Sequence, residues 1–185
     1  QAISLIDPAN DFNGGVTFLG GSGNLADVSV RDSSALTLGG LTLSGNLDVN
    51  ADSISQSGAM IIGGNSLFTA SGGQSIDLAN SGNAFTGTVG FAARSGTLQT
   101  ASITDTTARD VQALATGADS TTAATNLTQS GSLSIGGAAT LTSDAGIVLN
   151  TTNADSLTVN AGGAVTQAGD LTISDTTTIN AGGQN

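Results

Sequence analysis

The sequence contains no cysteine, histidine, tryptophan or tyrosine, and its 185 residues include a single proline. The absence of cysteine excludes disulfide bonds and thiolate metal sites. Lysine and glutamate are also absent, so every acid is aspartate and the only bases are Arg31, Arg94 and Arg109. Because few side chains remain that bind a sugar ring or assist its hydrolysis, we expect no enzymatic activity and no cofactor.

Charge is sparse and mostly negative. The formal net charge is −11 and the isoelectric point is near 4.1, while only 9% of the residues are charged. Such a chain has almost nothing with which to neutralise phosphates, which disfavours nucleic acid and anionic membrane surfaces as partners. No run of residues is long and apolar enough to predict a membrane-spanning helix.

The residues that are plentiful favour short β-strands. The chain is 38% hydrophobic, and this composition with low charge argues against disorder. Threonine and valine favour strands, whereas asparagine, aspartate, glycine and serine favour turns. We therefore predict an all-β protein with many short strands.

One segment recurs along the chain. The sequence ISQSGAMIIGG at Ile54–Gly64 returns as LTQSGSLSIGG at Leu127–Gly137, and more loosely as VTQAGDLTISD at Val165–Asp175. The first two copies are 73 positions apart, and the same shift relates Ile3–Gly20 to Ile76–Ala93. We divide the chain into blocks near 3–75 and 76–148 and a partial block, 149–185, which together form a single repeat segment.

The shorter spacings predict the shape of the repeat. Shifts of 20, 38 and 73 positions are compatible with a unit of roughly 18–20 residues. Within a unit, as in LTLGGLTLSGNLDVN at Leu36–Asn50, apolar residues alternate with polar or turn residues. Strands this short need stacking, so we predict a parallel β-helix (solenoid) of about ten coils, with Leu, Ile and Val inward.

The recurring glutamines, glycines and asparagines lie where alternating runs end. Such positions suit corners, because glycine permits unusual backbone angles and side-chain amides cap backbone groups. We interpret eight of these residues as structural corners: Gln56, Gly58, Gln129, Gly131, Gln167, Gly169, Asn10 and Asn83. We expect none of the three glutamines to bind a ligand.

The stretch 92–126 departs from the pattern. Where the first block has Leu36, Leu43, Leu47 and Val49, the second has Arg109, Thr116, Ser120 and Thr122. Its residues Thr106–Gly117 (TTARDVQALATG) are compatible with a short helix, a loop or a weakly packed coil. An irregular segment on a repeat rod is the first place to look for function beyond scaffolding.

Other chemistry finds little support in the sequence. Asp32 and Asp105 are repeat equivalents, which we interpret as turn-forming or solvated aspartates. The segment GGQSIDLA at Gly72–Ala79 only partly matches a calcium repeat and has no tandem copies, so we predict no metal site. The Thr-rich segments TDTT and DTTT do not follow a constant spacing, which disfavours an ice-binding array.

Ser29–Gly73 and the segment IDLANSGNAFTGTV at Ile76–Val89 resemble the repeat region of filamentous-haemagglutinin-like exoproteins. Members of that family are large bacterial adhesins secreted by the two-partner route. The resemblance implies a right-handed parallel β-helix, secretion to the bacterial cell surface and an outer-membrane transporter as partner. It transfers no catalytic residue, and the secretion domain of the family is not visible in this sequence.

From the resemblance we expect a structural shaft segment of a longer adhesin chain, which projects a distal binding region and supports adhesion, virulence or biofilm formation. Contacts with a host or neighbouring-cell glycan or protein would then come from other parts of the chain. Two alternatives stay open: a binding module that uses the 92–126 face for a glycan or host protein, and a self-assembling extracellular matrix filament formed by end-to-end association.

Overall fold

A computed structural model describes residues 1–21 and 25–182 of the chain. Over those residues the backbone forms strands of two to six residues joined by corners, and no helix. Alternation of apolar and polar residues produces the strands, and Gly-Gly or Ser-Gly pairs end them after a few residues.

In the described part of the chain, all strand pairs are parallel and form five sheets, which we number I to V. Sheet I contains β1 (Ile3–Leu5), β3 (Val28–Arg31), β6 (Leu47–Asn50), β9 (Ser66–Ala70) and β12 (Val89–Ala93). Sheet II contains β2 (Gly15–Val16), β4 (Leu36–Leu38), β7 (Ile54–Gln56), β10 (Ile76–Leu78), β13 (Ala101–Thr104), β16 (Ser120–Ala124), β19 (Ala138–Ser143), β22 (Ser156–Ala161) and β25 (Thr177–Ala181).

The other three sheets are shorter. Sheet III contains β5 (Leu41–Leu43), β8 (Met60–Ile62) and β11 (Ala84–Phe85). Sheet IV contains β14 (Ala108–Val111), β17 (Asn126–Gln129), β20 (Ile147–Leu149) and β23 (Val165–Gln167). Sheet V contains β15 (Leu114–Thr116), β18 (Leu133–Ile135), β21 (Thr152–Ala154) and β24 (Leu171–Ile173).

The chain is a parallel β-solenoid, so the predicted fold class is confirmed. Each strand pairs with its counterpart one coil further on, and sheet II runs through nine coils. In the first half the chain visits sheets I, II and III in turn, and in the second half it visits II, IV and V. At the usual spacing between strands, nine coils span about 40 Å along the axis.

The coil count is nine rather than the expected ten because some coils are long. From Ala101 onward, successive residues of sheet II are 18 to 20 positions apart, as predicted. Two earlier coils, Ile3 to Val28 and Ile76 to Ala101, each take 25 residues. Compared with the coil before it, the coil from Ile76 has one extra residue before Ala84 and two between Val89 and Ala101, so the chain needs fewer coils to reach its end.

The core consists of inward side chains stacked in columns. Leu36, Ile54 and Ile76 follow one another in register along sheet II, and each is almost fully buried. Burial of each such side chain stabilises the fold by about 1.5–3 kcal/mol. Between β9 and β12 the column is aromatic, since Phe68 packs edge-on against Phe85 and stacks on Phe91 at 6.1 Å between ring centroids.

The second block is rotated around the axis relative to the first. Ile3 lies in sheet I, but its repeat equivalent Ile76 lies in sheet II. Three full coils lead from Ile3 to Ser66, which both lie in sheet I. Ile76 lies on the next side of the coil, in sheet II. The 73-residue repeat therefore advances by three coils and one side, so equivalent residues of the two blocks face different directions.

Candidate functional site

The irregular stretch 92–126 is where the solenoid changes sheets. Sheet III ends before this stretch with β11 and sheet I ends at its start with β12, and sheets IV and V begin within it with β14 and β15. The helix considered for Thr106–Gly117 is wrong, because these residues form β14, a corner and β15. Val111 and Leu114 have helical spacing, yet they point inward from two different strands on either side of the corner.

A buried ion pair marks this junction. Nη1 of Arg109 lies 3.4 Å from Oδ2 of Asp105, and the side chains are only 3% and 0% exposed. The guanidinium also lies over the ring of Phe85, with its carbon 5.9 Å from the ring centroid. Burial lowers the pKa of Arg109 from its usual value, while Asp105 and then Asp110 oppose that shift by charge.

Asp105 also holds the corner beneath the junction. Its Oδ1 accepts hydrogen bonds from the backbone of Phe85 at 3.1 Å and from the backbone and hydroxyl of Thr107 at 2.9 and 2.8 Å. In the first block, Oδ1 of Asp32 likewise accepts from the backbone of Phe12 and from Ser34. The interpretation of these aspartates as turn-forming is confirmed, whereas the alternative that they are solvated is wrong, since both are buried.

The three recurring glutamines make the same local hydrogen bond. The Nε2 atoms of Gln56, Gln129 and Gln167 donate to the carbonyl two residues ahead, at 2.7, 3.1 and 2.9 Å. These acceptors are the carbonyls of the glycines that the sequence singled out: Gly58, Gly131 and Gly169. Each bond closes a corner, and each glycine passes close to the backbone of the preceding coil.

These corner residues do not converge on one face. Gln56 ends a strand of sheet II, whereas Gln129 and Gln167 end strands of sheet IV, two coils apart. The rotation of the second block separates the first glutamine from the other two. The structure therefore brings no common site together from these side chains.

Asn83 is a buried hub between three coils. Its Nδ2 donates to the carbonyls of Leu78 and Thr104 and to Oε1 of Gln56, at 2.9, 3.2 and 2.9 Å. Its Oδ1 accepts from Nε2 of Gln56 and from the backbone of Met60. Asn83 is fully buried, and its amide groups are satisfied from above and below.

Asn10 makes the equivalent bonds near the other long corner. Its Nδ2 donates to the carbonyls of Leu5 and Arg31, at 3.1 and 3.3 Å. It is less buried than Asn83 and has no glutamine partner among its hydrogen bonds. The two asparagines thus share one corner geometry in two environments.

Two features of this region could not be predicted from the sequence. One is the edge of β12 that faces away from β9, to which no other described strand is paired. The other is a column of outward hydroxyls on sheet II, which becomes regular only when the coils are in register: Ser102, Thr121, Thr140, Thr158 and Thr178. The signal for both is the change of coil length from 25 to 19 residues at Ala101.

Within the described part of the chain, no three His, Cys, Asp or Glu residues are grouped closely enough to hold a metal ion. The same residues contain no helix of a length and hydropathy that could cross a membrane.

Segments 25–92, 98–156 and 142–185 match a family described as repeats of unknown function (DUF5649). The first two matches begin at Leu25 and Leu98, which are separated by the 73-residue block shift. Between the first two matches, residues 93–97 are unmatched, and they comprise the last residue of β12 and the corner that follows it. No curated protein and no solved structure matches the chain.

Proposed function

We propose a structural function for this chain, which belongs to the family of repeats of unknown function (DUF5649). The chain serves as a shaft segment of a secreted bacterial adhesin at the cell surface and holds a distal binding region away from the cell. The resemblance of Ser29–Gly73 to filamentous-haemagglutinin-like repeats motivates the adhesin part of this proposal.

The observation that carries the shaft function is the continuity of sheet II. Its nine strands link every coil to the next by backbone hydrogen bonds that run along the axis. Bending or stretching the rod would break these bonds and open the inward columns of Leu, Ile and Val. Continuous ladders and a continuous core are what a stiff spacer requires.

Removal of whole coils from the full-length protein on cells tests this function. Deletion of 101–119 or of 139–156 joins residues that are already in register, Ala101 with Ser120 and Ala139 with Leu157. We expect each deletion to shorten the rod by about 4.8 Å, seen by electron microscopy, and to leave adhesion unchanged. Loss of adhesion with both deletions would contradict the shaft function, because a shaft tolerates the loss of any one coil.

A second candidate is a binding module on the 92–126 face for a glycan or host protein. It is favoured by the cleft of about 290 Å³ between β12 and β15, which is lined by Phe91, Leu98 and Leu114 among others. The two deletions separate the candidates, because only the deletion of 101–119 removes the upper wall of this cleft. Adhesion that fails with this deletion alone supports the binding module.

A further inference from the structure

The edge of β12 opposite β9 is an open strand edge inside the rod. Val89 to Ala93 pair in register with Ser66 to Ala70, and β12 is the last strand of sheet I. Across residues 1–21 and 25–182, no strand continues sheet I beyond it. An unpaired strand edge presents a row of backbone donors and acceptors to any chain that lies beside it.

The edge is open because the next coil is too short to cover it. Thr106 lies above Asn83, to whose carbonyl its amide donates at 2.8 Å, and Thr116 lies above Leu98 in a parallel bridge. The lower coil takes fifteen residues between these points and the upper coil takes ten. Five fewer residues shorten the upper path by about 17 Å, so it cuts across the corner.

The stretch that the upper coil lacks beside β12 has the length of one strand. The upper coil lacks five residues over this arc, and β12 itself contains five residues. An extended segment of about five residues therefore replaces the strand that this coil does not supply.

The backbone groups of β12 alternate between its two edges. At its two ends, the carbonyl of Thr88 accepts from Ser66 and the amide of Arg94 donates to Ala70, both at 2.8 Å. In a parallel pair every second residue bonds to a given neighbour, so Gly90 and Ala92 face β9. The amides and carbonyls of Phe91 and Ala93 therefore point to the open edge.

The open edge borders a groove without charged residues. Two clefts of about 290 and 480 Å³ share Gly96 and Leu98 and form one path around the corner. Its apolar surface includes Phe91 and Leu114, and two serines complete the wall on the side of sheet V: Ser132 and Ser134.

Carboxylates flank this groove at both ends. Asp110 lines the small cavity that adjoins Phe91, and Asp119 follows Ala118 at the far end. Both carboxylates accept hydrogen bonds from neutral groups of the next coil, Asp110 from Thr128 and Ser130 and Asp119 from the backbone of Ala138. Neither takes part in the one described ion pair, which joins Arg109 to Asp105. A segment that is uncharged in the middle and basic at its ends is complementary to this arrangement.

We propose that the open edge of β12 binds an extended peptide segment of a partner protein by strand addition. The segment contributes about five uncharged residues to the groove and a Lys or Arg at each end. Backbone hydrogen bonds to Phe91 and Ala93 supply the affinity, and alternate side chains that enter the groove supply the specificity. This site is additional to the shaft function and does not depend on it.

A fluorescently labelled peptide of the composition Lys-Thr-Val-Thr-Val-Thr-Lys tests the proposal, titrated into the 185-residue chain by anisotropy. Two further peptides carry N-methyl groups on alternate backbone nitrogens. One is methylated at the odd-numbered residues and the other at the even-numbered residues, so that each blocks one edge of the added strand. We expect one methylation pattern to weaken binding at least tenfold and the other to leave it nearly unchanged, because only one edge of an added strand faces β12. Equal binding by both methylated peptides, or no binding of the parent peptide, would overturn the proposal.

Two variants locate the site. Ala113→Trp fills the groove from its upper wall and should weaken peptide binding at least tenfold. Ala92→Trp is the matched control, since Ala92 lies on the same strand with its side chain outward, and it should leave binding unchanged. Circular dichroism confirms that both variants are folded. Peptide binding that survives Ala113→Trp would exclude the groove as the site.

Amide hydrogen exchange by NMR provides a readout at single residues. The amides of Phe91 and Ala93 should exchange fast in the free chain and slowly with peptide bound, while those of Gly90 and Ala92 are slow in both. The opposite pattern would contradict the assigned edge. Concentration-dependent dimers that Ala113→Trp abolishes would instead identify a second copy as the occupant, and a neutral oligosaccharide that competes alone would identify a glycan.

Discussion

Arg109 occupies the inward position that Leu36 occupies one block earlier, and it meets Asp105 inside the rod at 3.4 Å. Among the described residues, Asp32, the equivalent of Asp105, has no such partner, and its Oδ2 is buried without a hydrogen bond to any of them. The aspartate corner of the first block therefore forms without an arginine partner. The pair is a local addition at the sheet change.

This difference predicts an unequal response to removal of the two charges. Asp105→Asn keeps the oxygen that accepts from Phe85 and Thr107 but leaves Arg109 charged and unpaired, which should cost about 3–5 kcal/mol. Arg109→Leu restores the arrangement of the first block and should cost much less. Urea denaturation followed by circular dichroism measures both changes.

The double variant is the control for this prediction. Asp105→Asn with Arg109→Leu should recover most of the stability lost by Asp105→Asn alone, because no buried charge is left without a partner. Additive losses in the double variant would show that the two side chains are not coupled.

Asn83 and Asn10 should differ in their contribution to stability. Asn83→Ala leaves the amide of Met60 and the carbonyls of Leu78 and Thr104 without their partner, at a cost of roughly 1–3 kcal/mol for each buried group. Asn10→Ala removes two hydrogen bonds in a more exposed corner and should cost less. The midpoints of urea denaturation of the two variants test this difference. Equal midpoints would contradict the role of Asn83 as a buried hub.

Gly131 should be intolerant of even a methyl group. A Cβ at this position would meet the backbone of Gln112 and Ala113 in the preceding coil, so Gly131→Ala should destabilise the fold by about 1–3 kcal/mol. Gly117→Ala is the matched control, because the nearest atoms to its Cβ lie at 3.5 Å, an ordinary contact distance. Thermal unfolding of both variants tests this, and a stable Gly131→Ala would mean that the coils can separate locally.

Chelation should leave the fold unchanged. No cluster of metal-ligating side chains occurs in residues 1–21 and 25–182, and the core is aliphatic. We expect the same far-ultraviolet circular dichroism and the same unfolding midpoint with and without EDTA. A lower midpoint in EDTA that calcium restores would reveal an ion site and contradict this prediction.

Much of the fold follows from local sequence. The alternation in segments such as Leu36–Asn50 predicts strands of three to five residues, and strands that short are stable only when they stack. The recurrence of Ile54–Gly64 at Leu127 predicts that the stacking repeats. The alternation depends on adjacent residues and the stacking on the 73-residue shift, and both can be read directly from the sequence.

The site is harder to predict because it depends on contacts between residues in successive coils. Val111 and Leu114 fit either one helix or two strands, and the parallel pairing of Val111 with Gln129 and of Leu114 with Leu133 one coil further on decides for strands. Likewise, Asp105 looks like a solvated turn residue until Phe85 and Arg109 enclose it. Contacts between residues about 20 positions apart make these choices.

The sequence by itself determined that this protein is a stack of short parallel strands around aliphatic columns, because alternation and repetition are encoded locally. Only the tertiary structure decided which residues share a face, and it turned the second block by one side of the coil. The physical reason is that pairing register depends on the number of residues in each whole coil: 73 residues make three coils and one further side, so Ile76 lies in sheet II where Ile3 lies in sheet I. The shorter coil that begins at Ala101 supplies no strand next to β12, so the edge of β12 has no paired strand among the described residues.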